Sequence, residues 1–350
     1  MIFHPASRRW LLGCAFVMLS AGCKGDNGGA LDEEIDAVFR AAHERGTFSG
    51  SVLVTRGERT IYERSFGLAD REMPIPNTAD TKFAVFSIVK PLTAMLVFQQ
   101  IGAGRLRLVD TLDTVFPNLA GKPAGRISLQ QLLTHTSGIQ EVISDHLDRR
   151  LTAHDLEIAA VPTGASFKYS STGYVCLALV LEAVTGRSYE DLLQEGILIP
   201  AGMRDSGVLR TGRIIPGLAR GYRPVDGKLT ATEFGVVVEA LDGAGSLYTT
   251  ARDLWRLDRA LRAEKILSRR PQDEMLSQQI EGRFGYGWFL DEQGGRYFPW
   301  HKGDFRGHAA VWVRQVHRDE TIVILANQEE ADVLGLRSKL LRLLKAHPHL

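Results

Sequence analysis

Apolar and polar positions along the chain follow two periods, and the period changes twice between the ends. LDEEIDAVFRAAHERG, from residue 31, spaces its apolar residues for one helix face, opens with acidic residues and stops at a glycine, which predicts an amphipathic helix. SGSVLVTRG and RTIYERSFG follow as β-rich runs on either side of Gly57 and Glu58, the pattern of a hairpin. Toward the other end GYGWFL, HAAVWVRQV and ETIVILANQ are again β-rich, and DVLGLRSKLLRLLKAH predicts a basic amphipathic helix. Between them, from about residue 87 to about 265, helical spacing prevails in PLTAMLVFQQIGAG, SLQQLLTH, GYVCLALVLEAVTG, YEDLLQEGIL and TARDLWRLDRALRAE. The expectation is an α+β molecule, a β-rich body assembled from both termini with a helical insertion, and a cleft between the two parts.

Residues 1–23 depart from this pattern. Arg8 and Arg9 precede an apolar run from Trp10 to Leu19 and small residues ending at Cys23, the layout of a signal peptide. The run is about half the ~20 residues that a membrane span needs. Ser20-Ala21-Gly22-Cys23 resembles a bacterial lipobox, with a serine where a larger aliphatic residue is usual; lipidation of Cys23 would be the protein's one attachment to a membrane. Residues 24–30, KGDNGGA, suit a tether, leaving residues 31–350 as one folded domain. The expected location is the periplasm or envelope of a bacterium.

Composition removes several function classes. With 44% hydrophobic and 24% charged residues the chain can bury an ordinary core. Its 42 Lys and Arg against 41 Asp and Glu supply no field for a nucleic-acid partner. Cys176 alone lies beyond the leader, inside VCLALVLEAV, where a thiol serves as a small core residue rather than as a nucleophile, and no internal disulfide is available.

FAVFSIVKPLTA, residues 83–94, carries the first chemical signal. Pro91 is tolerated only near a helix start, so the helix begins close to Ser87, and Lys90 shares its face three residues on. A serine hydroxyl needs a base, and a lysine serves when burial lowers its pKa. Taken alone, the spacing favours a helix cap beside a solvated lysine. YSSTGY, residues 169–174, opens a second helix, and WHKGDFRGH, residues 300–308, precedes a strand; either can wall the same cleft.

In that order these segments resemble the serine β-lactamases of class C, the D-alanyl-D-alanine carboxypeptidases and the related esterases and D-aminopeptidases. The resemblance runs from about Phe48 to about Gln328 and includes SLQQLLTHTSGI, GAGSLYTTARDL and FGYGW. It implies a β-lactamase/transpeptidase-like fold, with an antiparallel sheet from both chain ends, flanking terminal helices and the active site against a helical subdomain. It also implies that Ser87 is the acylated nucleophile and that Lys90 deprotonates it. Tyr169 would shuttle the proton as a phenolate favoured by the neighbouring ammonium. The backbone N–H groups of Ser87 and Asp304 would form an oxyanion hole, with Gly303 admitting substrate against the strand.

Two positions depart from the family pattern. Ser171 stands where the family has asparagine, and lacks an amide's carbonyl. His301-Lys302-Gly303 replaces Lys-Thr-Gly, so a neutral imidazole stands where a fixed ammonium would anchor a substrate carboxylate, which moves the expectation toward the aminopeptidase and esterase branches. Lys302 cannot substitute, since adjacent strand residues face opposite ways. His135, in LLTHTSGI, reads as part of a turn. His308 and His317 lack companions for a metal site, HERGT lacks the second histidine of a zinc protease, and neither a Gly-x-Ser-x-Gly elbow nor a phosphate loop occurs. No metal or other cofactor is implied. The functional expectation is an exported serine hydrolase forming an acyl-enzyme from an amide or ester, its partner a small-molecule or peptide substrate, peptidoglycan-derived or β-lactam. The alternative is a catalytically weak penicillin- or peptidoglycan-binding protein on the same fold.

Overall fold

The computed structural model of the chain describes residues 28–143, 147–157, 166–233, 236–280 and 284–348. The signal-peptide and lipobox readings lie outside the described residues, as does the tether up to residue 27. Helix α1, Gly28–Glu44, takes in the last three tether residues. Its earlier start moves the acidic run out of the first turn, where it was expected.

Strands β1, Gly50–Arg56, and β2, Arg59–Phe66, form the predicted hairpin, with Gly57 at φ +60° in the turn that joins them. Helices α2, Val89–Gly102, α3, Ser171–Thr185, and α4, Ala251–Arg262, belong to the middle of the chain. Strands β3, Phe289–Gln293, β4, Arg296–Phe305, β5, His308–Gln315, and β6, Glu320–Ala326, and helix α5, Val333–Ala346, complete the body. The main sheet is antiparallel in the order β3-β4-β5-β6-β1-β2, and the chain ends meet where β1 pairs with β6, Gly50 opposite Ala326.

Side chains alternate between the two faces of a strand, and HAAVWVRQ and ETIVILA are buried throughout because both faces of these central strands are covered. Val311, Val313, Ile322 and Ile324 pack with α1 and α5, whereas Trp312, Val323 and Leu325 face the helical part. α4 crosses this second face, and its Asp258 is fully buried, accepting from Arg314 Nε at 2.5 Å, Arg262 Nε at 2.9 Å and Thr321 Oγ1 at 2.7 Å. α2 is buried on nearly every side, which explains its continuous apolar sequence. Cys176 lies in the same core, its thiol pKa raised by burial. None of the described helices is long and apolar enough to cross a membrane.

WHKGDFRGH leads into β5 at His308, as expected, but WHKG itself lies toward the end of a strand, β4, that the sequence reading did not place. One sequence expectation is corrected. GYGWFL is mostly turn, and its strand begins only at Phe289.

Candidate active site

Ser87 sits in a 3-10 turn, Phe86–Ile88, that runs directly into α2, so Pro91 falls in the first helical turn, where its missing N–H removes no hydrogen bond. Phe86 has φ 41°, a left-handed conformation that costs a bulky residue on the order of 1–3 kcal/mol. Edge contacts with Phe305 at 5.2 Å and His308 at 5.9 Å hold it there.

Lys90 is completely buried. Its Nζ lies 2.9 Å from Ser87 Oγ, 3.0 Å from the Ala244 carbonyl and 3.4 Å from Ser171 Oγ. Burial penalises the ammonium and brings its pKa down to about 7, while Glu141 and Asp304 pull the other way. A substantial fraction of Lys90 is therefore a neutral amine at neutral pH, one hydrogen bond from the serine proton.

Tyr169 reaches the same hydroxyl, and its ring centroid lies 4.9 Å from Lys90 Nζ. These surroundings oppose the phenolate that the resemblance implied. Burial raises the Tyr169 pKa far above the phenolic range, and Asp304 and Glu141 add to the rise. Tyr169 is 37% exposed. The direction of its shift favours the neutral phenol, whereas that of Lys90 favours the neutral amine.

Ser171 is the first residue of α3, and Ser170 caps the helix by accepting from Gly173 N–H. The Glu141 carboxylate crosses this helix start, accepting from Ser171 N at 2.7 Å, Thr172 N at 3.1 Å and Thr172 Oγ1 at 2.7 Å. It thereby sets Ser171 beside Lys90 and places a negative charge near both Lys90 and Tyr169. No periodic signal in QEVISD marks Glu141, and the sequence reading missed it. The Ala244 carbonyl lies in GAGSLYTTARDL, a segment quoted for its resemblance without a role.

His301 and Gly303 reach the cleft from β4, opposite Trp312 and Ala310 of β5. Burial is the main cause holding the His301 pKa down at about 3, so the imidazole is neutral, as the sequence implied. Its Nδ1 is 2.7 Å from the Lys302 carbonyl, and its buried Nε2 has no partner among the described residues. Lys302 points away and pairs with Asp304 at 3.0 Å. A Cβ on Gly303 would stand 2.0 Å from the Val85 carbonyl and 3.0 Å from Ser87 N, so only glycine lets β4 run this close to the nucleophile's backbone. Ser87, Ser171, Ala244, Asp304 and Phe305 line one open cleft of about 500 Å³.

His135 was given no catalytic part, and it touches none of the reacting atoms. It nonetheless positions them: its ring lies 4.4 Å from that of Tyr169, and its Nδ1 accepts the Ser170 N–H at 3.1 Å. Among the described residues no three His, Cys, Asp or Glu side chains gather as a metal ion would require.

Residues 35–346 match the family model described as Beta-lactamase. Penicillin-binding protein 4* of Bacillus subtilis is 26% identical over 331 residues, covering 85% of this chain and 72% of its own. Teichoic acid D-alanine hydrolase of Staphylococcus aureus is 25% identical over 255 residues, covering 71% of this chain and 64% of its own. Among solved structures, D-amino acid amidase from Ochrobactrum anthropi superposes with a TM-score of 0.79 at 24% identity, over 91% of this chain and 99% of that one, a likeness of fold. The chain therefore belongs to the beta-lactamase family, among its penicillin-binding-protein-like serine hydrolases.

Proposed function

We propose that the protein is an exported hydrolase that cleaves an amide or ester through an acyl-enzyme on Ser87. The single observation that carries this reading is the 2.9 Å contact between Ser87 Oγ and a wholly buried Lys90 whose pKa burial brings to about 7. Neutral Lys90 takes the serine proton as Oγ bonds to the substrate carbonyl carbon. The carbonyl oxygen becomes an oxyanion facing Ser87 N–H and the backbone at Asp304. Collapse breaks the bond to the amine or alcohol, which leaves with a proton from the Tyr169 hydroxyl, and Lys90 returns that proton to the phenolate. Water then adds to the acyl carbon, giving a proton to Lys90; as the bond to Ser87 Oγ breaks, Lys90 passes that proton to Oγ, releasing the acid and restoring the serine hydroxyl. A donor of the oxyanion-hole kind is typically worth about 3 kcal/mol.

The charges around the cleft select among substrates. Glu141 and Asp304 are acidic, His301 is neutral, and Lys302 is held by Asp304, so a substrate carboxylate meets no free cation among these groups. An acyl group carrying an amine fits better than the carboxylate of a penicillin. The substrate class we favour is an amino-acid amide or ester, in keeping with the amidase and D-alanine hydrolase among the similar proteins. Export agrees with the leader and with the envelope character of those relatives' names.

The test compares kcat/KM for alanine amide, a short-chain alanine ester and benzylpenicillin in parallel. Turnover of the first two, lost in Ser87→Ala with folding intact, is the expected result. Efficient penicillin hydrolysis with no action on either alanine derivative would contradict the substrate assignment.

A second reading, a weak penicillin- or peptidoglycan-binding protein, draws on Ser171, whose contact with Lys90 is long at 3.4 Å and which offers no amide. Ser171→Asn separates the two: a large gain in turnover favours the binder, and a loss favours a serine tuned to its own substrate.

A further inference from the structure

An unexplained feature lies away from the cleft, at the start of β4. Arg296, Tyr297 and Phe298 of that strand, Gln315 at the end of β5, Arg318 in the following turn and Lys345 in the last turn of α5 surround an open hollow of about 750 Å³. The room within it that a ligand could fill, about 310 Å³, falls at the lower end of the ~300–1,000 Å³ common for small-molecule sites. β4 links the hollow to the catalytic cleft, and at about 3.3 Å per residue the rise from Arg296 to Gly303 is roughly 23 Å, too far for one small ligand to fill both.

Gln315 is the telling residue. It is 3% exposed, and both its amide nitrogen and its amide oxygen lack hydrogen-bond partners among the described residues. A buried amide left unpaired costs about 1–3 kcal/mol per group, so a primary amide with donor and acceptor both idle beside the hollow gains by turning toward an occupant that pairs them. The occupant must offer an acceptor and a donor together, as a secondary amide does.

The surrounding charge gives its other end. Arg318 is fixed by Glu320 at 3.0 Å and by the Leu344 carbonyl at 3.0 Å. Arg296 and Lys345 have no ion-pair partner among the described residues, and the lining holds no acidic side chain. Tyr297, 39% exposed, and Phe298 supply an apolar wall.

We propose that this hollow is a second binding site, for a small acylated amino acid: its amide on Gln315, its carboxylate between Arg296 and Lys345, and its side chain against Tyr297 and Phe298. The proposal is independent of the reaction at Ser87.

Isothermal titration of the full chain with N-acetylalanine, acetate and N-acetylalanine methylamide tests it. N-acetylalanine binds, and both partial ligands bind more weakly, one lacking the amide and the other the carboxylate. Arg296→Glu weakens N-acetylalanine by about tenfold or more, the scale of a charge-assisted hydrogen bond lost and reversed, while turnover of an ester substrate is unchanged. Gln315→Leu removes the preference over acetate. Because Gln315 is buried and its replacement can unfold the chain, the exposed Arg296 carries the decision. Binding untouched by Arg296→Glu, affinity for acetate equal to that for N-acetylalanine, or no binding at all overturns the proposal.

Discussion

At the scale of single residues, the proposed chemistry turns on Lys90, whose surroundings disagree. Burial lowers its pKa to about 7, while Glu141 and Asp304 oppose that fall. Below pH 7 the ammonium dominates and cannot accept the serine proton, so kcat/KM for an uncharged ester should rise with pH and level off above a midpoint near 7. A profile flat from pH 5 to 9 would remove Lys90 from the role of base. Glu141 raises the Lys90 pKa, so Glu141→Gln should move that midpoint to lower pH; a move to higher pH would contradict the electrostatic picture. Gly303→Ala places a methyl group 2.0 Å from the Val85 carbonyl and should cut kcat/KM by roughly a hundredfold or more, since displacement of about 1 Å in a site has that effect.

At the scale of elements, a buried carboxylate ties α4 to the sheet. Burial alone would raise the Asp258 pKa, and Arg314 and Arg262 reverse it, holding the carboxylate ionised. Asp258→Ala would leave Arg314, itself buried, without its partner and should destabilise the fold by about 3–5 kcal/mol, read as a lower urea midpoint. Loss below about 1 kcal/mol would show that the network relaxes, in the manner of a surface ion pair. The elements legible in the sequence were those whose burial leaves a run or a period: the mainly apolar runs of α2, β5 and β6 and the amphipathic spacing of α4. β4 was not, because Pro299 and Gly303 interrupt its pattern, although Gly303 is there for the close approach to Ser87. α1 was placed three residues late because Gly28 and Gly29 read as tether.

At the scale of the whole molecule, the sheet closes by pairing β1 with β6, across more than 260 residues of chain. Local periodicity showed that both ends were β-rich; it did not supply that register. The candidate site was legible in part for the same reason. Ser87 and Lys90 share one turn, so spacing could suggest them. Tyr169, Ser171, His301 and Gly303 come together only through the fold, and they were named by resemblance. Glu141 and the Ala244 carbonyl act through position, with no motif of their own.

The central claim is that a fold built from both chain ends brings Lys90 to Ser87 as a neutral base and makes that serine the acylated group. Intact-protein mass spectrometry with a fluorophosphonate, followed by peptide mapping, tests it most directly. A single adduct on Ser87, formed faster at pH 8 than at pH 6 and absent in Ser87→Ala, is the predicted result. No adduct on well-folded protein, or one that persists in Ser87→Ala, would contradict it.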